Sequence, residues 1–98
     1  ANAIVIKPLV NLQVLDFERN NISDQGMIAL AGAIVSEPLV KLKVLAFANN
    51  NISDPGMTAL AGAISVGSLP VLQRAFMSNN PGSDVPIEEA LAQRKQLL

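Results

Sequence analysis

The sequence holds no cysteine, histidine, tryptophan or tyrosine. Without cysteine there can be neither a disulfide framework nor a thiolate metal site, and a reducing, intracellular setting is expected. Without histidine, cysteine or tyrosine the usual proton-transfer groups and nucleophiles are nearly all missing, so the chain reads as non-enzymatic, with no cofactor and no bound metal. The aromatic complement is Phe17, Phe47 and Phe76 alone. A core built from Leu, Ile, Val, Ala and Met suits many thin layers better than one bulky centre. Charge is sparse and balanced, with seven basic and eight acidic residues scattered over 98 positions. Non-specific nucleic-acid binding needs clustered Lys and Arg, so no nucleic-acid partner is expected. The longest uncharged run, Pro55 to Gln73, approaches the length of a membrane span, but two prolines and three glycines interrupt it at the boundaries of a repeating unit. It reads as part of a small folded domain, with no transmembrane segment.

What the sequence does have is a thirty-residue period. Residues 9–38 and 39–68 are identical at nineteen of thirty positions. Such similarity means that each unit solves the same packing problem against a similar neighbour. Within a unit the apolar spacing changes midway. Val14-Leu15-Asp16-Phe17-Glu18 and Val44-Leu45-Ala46-Phe47-Ala48 set Leu and Phe two apart, the spacing of a strand with one buried face. Met27, Leu30, Ala31 and Ile34, then Met57, Leu60, Ala61 and Ile64, follow helical spacing. Strands are predicted near 14–18, 44–48 and 74–77, and helices over roughly 25–36, 55–66 and 85–97.

The corners joining strand to helix run Asn20 to Asp24 and Asn50 to Asp54, of residue types whose short side chains bond nearby backbone. Ser23-Asp24 and Ser53-Asp54 precede the helical runs, and Pro55 fits a first helical position. Asp24, Asp54 and Asp84 are the predicted helix caps. These Ser/Asp pairs recur with the period, whereas a catalytic residue is expected once, so capping is preferred to catalysis. Asp16 and Glu18 lack the further oxygen ligands that a Ca²⁺ site requires. Asn21-Ile22-Ser23 and Asn51-Ile52-Ser53 have the form of glycosylation sequons but read as part of the corner.

Residues 69–98 form a degenerate third unit and C-terminal cap. Ala75 and Met77 stand where Leu and Phe stood, and Pro81-Gly82 replaces the Asn-Ile corner. Ile87, Ala90, Leu91 and Arg94 trace one helical face, and Glu88, Glu89, Gln93 and Gln96 a polar one. A more polar last unit closes the exposed end of a repeat stack. Residues 1–8 lie in register with 31–38 through Ala1, Ala3, Ile4, Val5 and Pro8, and read as the end of a truncated preceding repeat.

The pattern LxxLxxLxFxxNxI followed by SDxGMxALAGAI resembles the leucine-rich repeat, in the long form found in ribonuclease inhibitor and the activating proteins of Ran GTPase. The resemblance covers nearly the whole chain, strongly in two units and partially in the third. It implies an α/β solenoid, a horseshoe arc with a short parallel sheet on its concave face and helices on its convex face. It also implies a ladder of asparagines holding the corners, at Asn20, Asn50 and Asn80, and a non-enzymatic module that binds other proteins through its concave sheet. Small-GTPase regulation would follow from that analogy alone, and a subunit embedded in a large complex is the other alternative. Two departures stand out: the helices lack the usual outward Glu and Lys, and the third unit breaks the Leu-x-Leu strand.

Two surfaces emerge as candidate contacts for a protein partner; a small-molecule ligand is not expected. On the concave side Val14, Asp16 and Glu18, then Val44, Ala46 and Ala48, then Arg74, Phe76 and Ser78 point away from the core and stack into rows. Phe76 is an anchor there if the third strand keeps register, and turns inward if it does not. On the convex side Ile28, Gly32, Val35, Thr58, Gly62 and Ser65 are all uncharged. Either another protein covers this face, or the small residues let neighbouring helices approach.

Overall fold

The computed structural model describes residues 11–96. The proposed unit at residues 1–8 therefore lies outside the described residues. Six elements alternate: β1 (Val14–Asp16), α1 (Asp24–Ser36), β2 (Val44–Ala46), α2 (Asp54–Ser65), β3 (Arg74–Phe76) and α3 (Val85–Gln96). The strands form one parallel sheet in the order β1-β2-β3, and the helices stand side by side behind it. Alternation of strand and helix with a fixed period thus produces an α/β solenoid.

Each strand is shorter than its sequence pattern, yet the ladder runs on past its ends. Phe17 N–H donates to Ala46 O at 2.8 Å and Arg19 N–H to Ala48 O at 3.0 Å. The next pair repeats this, with Phe47 to Phe76 O at 2.8 Å and Asn49 to Ser78 O at 2.9 Å. Register is kept throughout, Val14-Val44-Arg74 in one row and Asp16-Ala46-Phe76 in another. The third unit pairs normally although Ala75 and Met77 replace Leu and Phe, because the pairing is carried by backbone and Met77 still fills the core.

The core lies between sheet and helices. Leu42, Leu45, Phe47, Ile52, Met57 and Leu60 of the middle unit have no accessible surface. Phe17 stacks on Phe47 with ring centroids 5.4 Å apart, and Met77 continues this layer into the third unit. Close approach between units depends on a glycine. A Cβ on Gly82 would lie 2.4 Å from the Ser53 carbonyl carbon, so only glycine lets its N–H reach Ile52 O at 2.9 Å. At the end of α2, Gly67 adopts φ 87° while its N–H bonds Ile64 O and the Ser68 N–H bonds Ala63 O. This is the left-handed helix terminator that glycine favours.

Candidate functional site

The corners that carry the two surfaces are held by side chains reaching from one unit to the unit before it. Asn50 Oδ1 accepts from Asn20 N at 2.9 Å and Ile22 N at 2.8 Å, while its amide donates to Phe17 O and Phe47 O. Asn80 repeats this toward the second unit, accepting from Ile52 N and donating to Phe47 O and Met77 O. Asn20 occupies the same position in the first unit, where its amide donates to its own strand at Glu18 O. A second asparagine contact, Asn79 Nδ2 to Asn49 Oδ1 at 3.0 Å, lies beside the first. Here the backbone is left-handed, with φ 60° at Arg19, 62° at Asn49 and 59° at Asn79. Asparagine tolerates that conformation better than arginine. The recurring Asn doublets signal this second contact; Arg19 conceals it in the first unit.

The aspartate caps differ from the expectation. Asp24 and Asp54 are the first residues of their helices, and the residues at the caps are Ser23 and Ser53. Their carboxylates serve the following unit instead. Asp24 accepts from Ser53 N at 2.8 Å, Gly56 N at 3.0 Å and the Ser53 hydroxyl, so it caps α2 across the inter-unit boundary. Ser53 makes no side-chain cap to its own helix: Asp24 takes both its hydroxyl proton and the Gly56 N–H that such a cap would receive. Ser23 does cap α1, at a long 3.5 Å from Gly26 N. Asp54 accepts from Ser83 N at 3.0 Å. Asp84 immediately precedes α3 and caps by its backbone carbonyl, which accepts from Ile87 N and Glu88 N, while the Ser83 hydroxyl takes the Val85 N–H. A local reading of helix starts misses this because the acceptor and donor lie about thirty residues apart in sequence. Hydrogen bonds from the Ser53 hydroxyl, then from the Ser53 and Gly56 amides, hold Asp24 below the ordinary aspartate value against partial burial.

On the concave face the structure brings the expected residues into three adjacent columns but not to one level. Val14 is 54% exposed and Phe76 45%, and Asp16, Glu18 and Arg74 are open to solvent. Phe76 therefore points outward. Val44 is half-buried, and Ala46 and Ala48, expected on the open patch, are covered to all but 5% and 6%. The reasons are position and size: β2 is the middle strand, flanked on both sides, and its alanines are shorter than Asp16, Glu18 and Phe76 beside them. The result is a shallow trough with an alanine floor, carboxylates along the first strand, and Arg74 with Phe76 along the third.

On the convex face Ile28, Gly32, Val35, Thr58, Gly62 and Ser65 are all exposed. A Cβ on Gly32 or Gly62 would meet nothing within 4 Å. Close helix approach therefore does not require glycine at either place. Beyond them, Arg94, read from sequence as part of a helical face, is half-buried and donates to Leu69 O and Leu72 O, tying α3 to the loop that enters β3.

Among the described residues no cluster of acidic side chains could hold a metal ion, and no helix is long and apolar enough to cross a membrane. Residues 9–31 and 40–61 match the family model for the leucine-rich repeat. The fold is that of a leucine-rich-repeat solenoid. A search of curated proteins finds none that matches it. Leucine-rich repeats generally mediate protein–protein interaction, and domains built from them are typically non-enzymatic. In this solenoid the asparagine ladder and the aspartate side chains hold the strand-to-helix corners, and the outward rows of the sheet and the outer faces of α1 and α2 are open.

Proposed function

We propose that this solenoid is a protein-binding or scaffolding module that uses its concave sheet. The observation that carries the reading is the in-register row Asp16-Ala46-Phe76, which sets an exposed aromatic side chain beside a recessed alanine floor. An exposed aromatic at the rim of a trough supplies the buried anchor on which protein interfaces depend. Asp16 and Glu18 on one flank and Arg74 on the other orient a partner carrying the opposite charges, a basic group toward β1 and an acidic one toward β3. The complete helix in each of the first two units, 13 and 12 residues long, supports the long, ribonuclease-inhibitor-like form of the repeat.

A second reading rests on the convex face. Exposed helix positions ordinarily carry Glu, Lys or Arg, and glycine there costs up to about 1 kcal/mol against alanine. Gly32 and Gly62 stand in open space without a packing role, which favours a covering protein, as for an accessory subunit of a larger complex.

The test is a parallel co-purification with Phe76→Asp, Ala46→Arg, Gly32→Glu and Gly62→Glu. The concave reading predicts that one and the same co-purifying protein is lost with the first two and kept with the glycine variants. Loss with the glycine variants alone transfers the function to the convex face.

A further inference from the structure

The first unit is less well covered than the second at matching positions. Leu12, Leu15, Phe17 and Ile22 are half-buried, whereas Leu42, Leu45, Phe47 and Ile52 have no accessible surface. Unlike the side chains of Asn50 and Asn80, which both donate to the preceding unit, the Asn20 side chain bonds, among the described residues, only Glu18 O of its own unit. The cap of α1 differs in the same way. Gly56 N takes an aspartate oxygen from the preceding unit at 3.0 Å, while Gly26 N has the Ser23 hydroxyl at 3.5 Å. On either side of β1, Phe17 and Arg19 donate to the second unit and Gln13 O accepts from it. In a parallel ladder the intervening residues turn their backbone groups the other way. Glu18 N on that outer side is met by the Asp16 carboxylate at 2.9 Å, a charged cover of the kind found on sheet edges.

We propose that the outer edge of β1 receives a further leucine-rich repeat carried upstream in the same polypeptide, stacked in the register that β1 keeps with β2. The interface is a continuation of the two already in the molecule: the apolar positions, the ladder asparagine and the serine–glycine cap each have a receiving half on this edge. The incoming unit buries Leu12, Leu15, Phe17 and Ile22. Its backbone bonds Asn20, as the first unit's backbone bonds Asn50. Gln13 N joins the ladder, as Lys43 N and Gln73 N do in the two existing interfaces. An aspartate of the incoming unit, at the position of Asp24 and Asp54, takes Ser23 N and Gly26 N, and the Ser23 hydroxyl turns from capping Gly26 to donating to that carboxylate, as Ser53 does.

Inserting a second copy of residues 39–68 between Pro8 and Leu9 tests this in the full chain, read by amide hydrogen exchange. Protection at Gln13, Ile22 and Gly26 rises about tenfold or more, because nearest-neighbour stacking adds to local stability. The same insert carrying Asp54→Ala protects Gln13 and Ile22 but leaves Gly26 near its original rate. A chain that gains no helical signal, or gains it without slower exchange at Gln13 and Ile22, overturns the proposal. Protection at those amides that rises with the concentration of the unmodified chain assigns the edge to a second copy and overturns it equally.

Discussion

Arg19 is the residue most at odds with its place. Its φ of 60° is shared with Asn49 and Asn79, and arginine has no side-chain bond to its own backbone to offset the left-handed conformation. Arg19→Asn is expected to stabilise the fold by up to about 1 kcal/mol, measured as a higher denaturant midpoint with an unchanged slope. Asp24 and Asp54 offer a second test at this scale. Asp24 accepts three bonds from the second unit and Asp54 one from the third. Asp24→Ala should therefore lower the unfolding midpoint more than Asp54→Ala. The folded Asp24 carboxyl lies below its unfolded value, so between the two values the unfolded chain binds more protons and stability rises with pH. Its contribution is complete above the ordinary aspartate range and fades as pH falls through the folded value. Asp24→Asn should flatten this acid limb of the midpoint against pH and leave the neutral region parallel to the parent.

At the scale of elements, α2 contains one glycine that is needed and one that is not. A Cβ on Gly56 would lie 2.6 Å from Asp24 Oδ1 and 2.7 Å from Ile52 Cγ2, so the cross-unit cap requires its absence. Gly62 faces open space. Gly62→Ala should stabilise by roughly 0.5–1 kcal/mol, whereas Gly56→Ala should destabilise, with thermal unfolding of the two variants showing opposite signs. The strand and helix positions themselves were legible in the sequence, because the change from period two to helical spacing occurs at the same place in each unit. The inward and outward faces followed from the same periodicities. Two things were hidden. Helix capping rules look three residues along the chain, while Asp24 acts on a backbone about thirty residues away. The recession of Ala46 and Ala48 depends on their place in the middle strand and the length of their row-mates, which alternation alone does not weigh.

The whole molecule is a stack in which burial depends on having a neighbour on each side. Leu15 and Leu45 are the same residue at the same place in two units, one half-buried and the other with no accessible surface. Leu45→Ala should cost about 2–5 kcal/mol, enough to unfold much of a small domain, and Leu15→Ala distinctly less. Equal costs in urea titrations would mean that β1 is as well covered as β2. The solenoid architecture was the most legible feature of all, since a period repeated nearly verbatim admits few folds. The candidate contact surface was legible as rows, but its relief was not, because the register at Phe76 could not be known while Ala75 and Met77 stood in place of Leu and Phe.

The central claim is that the trough between Asp16 and Phe76 is where a partner protein sits. Its most direct test places a photo-crosslinking side chain at position 76, and separately at position 62, in the cells that make the protein. Crosslinking to another protein from position 76 and not from position 62 is the predicted result. Crosslinking from position 62 with none from position 76 would contradict it and move the contact to the convex face.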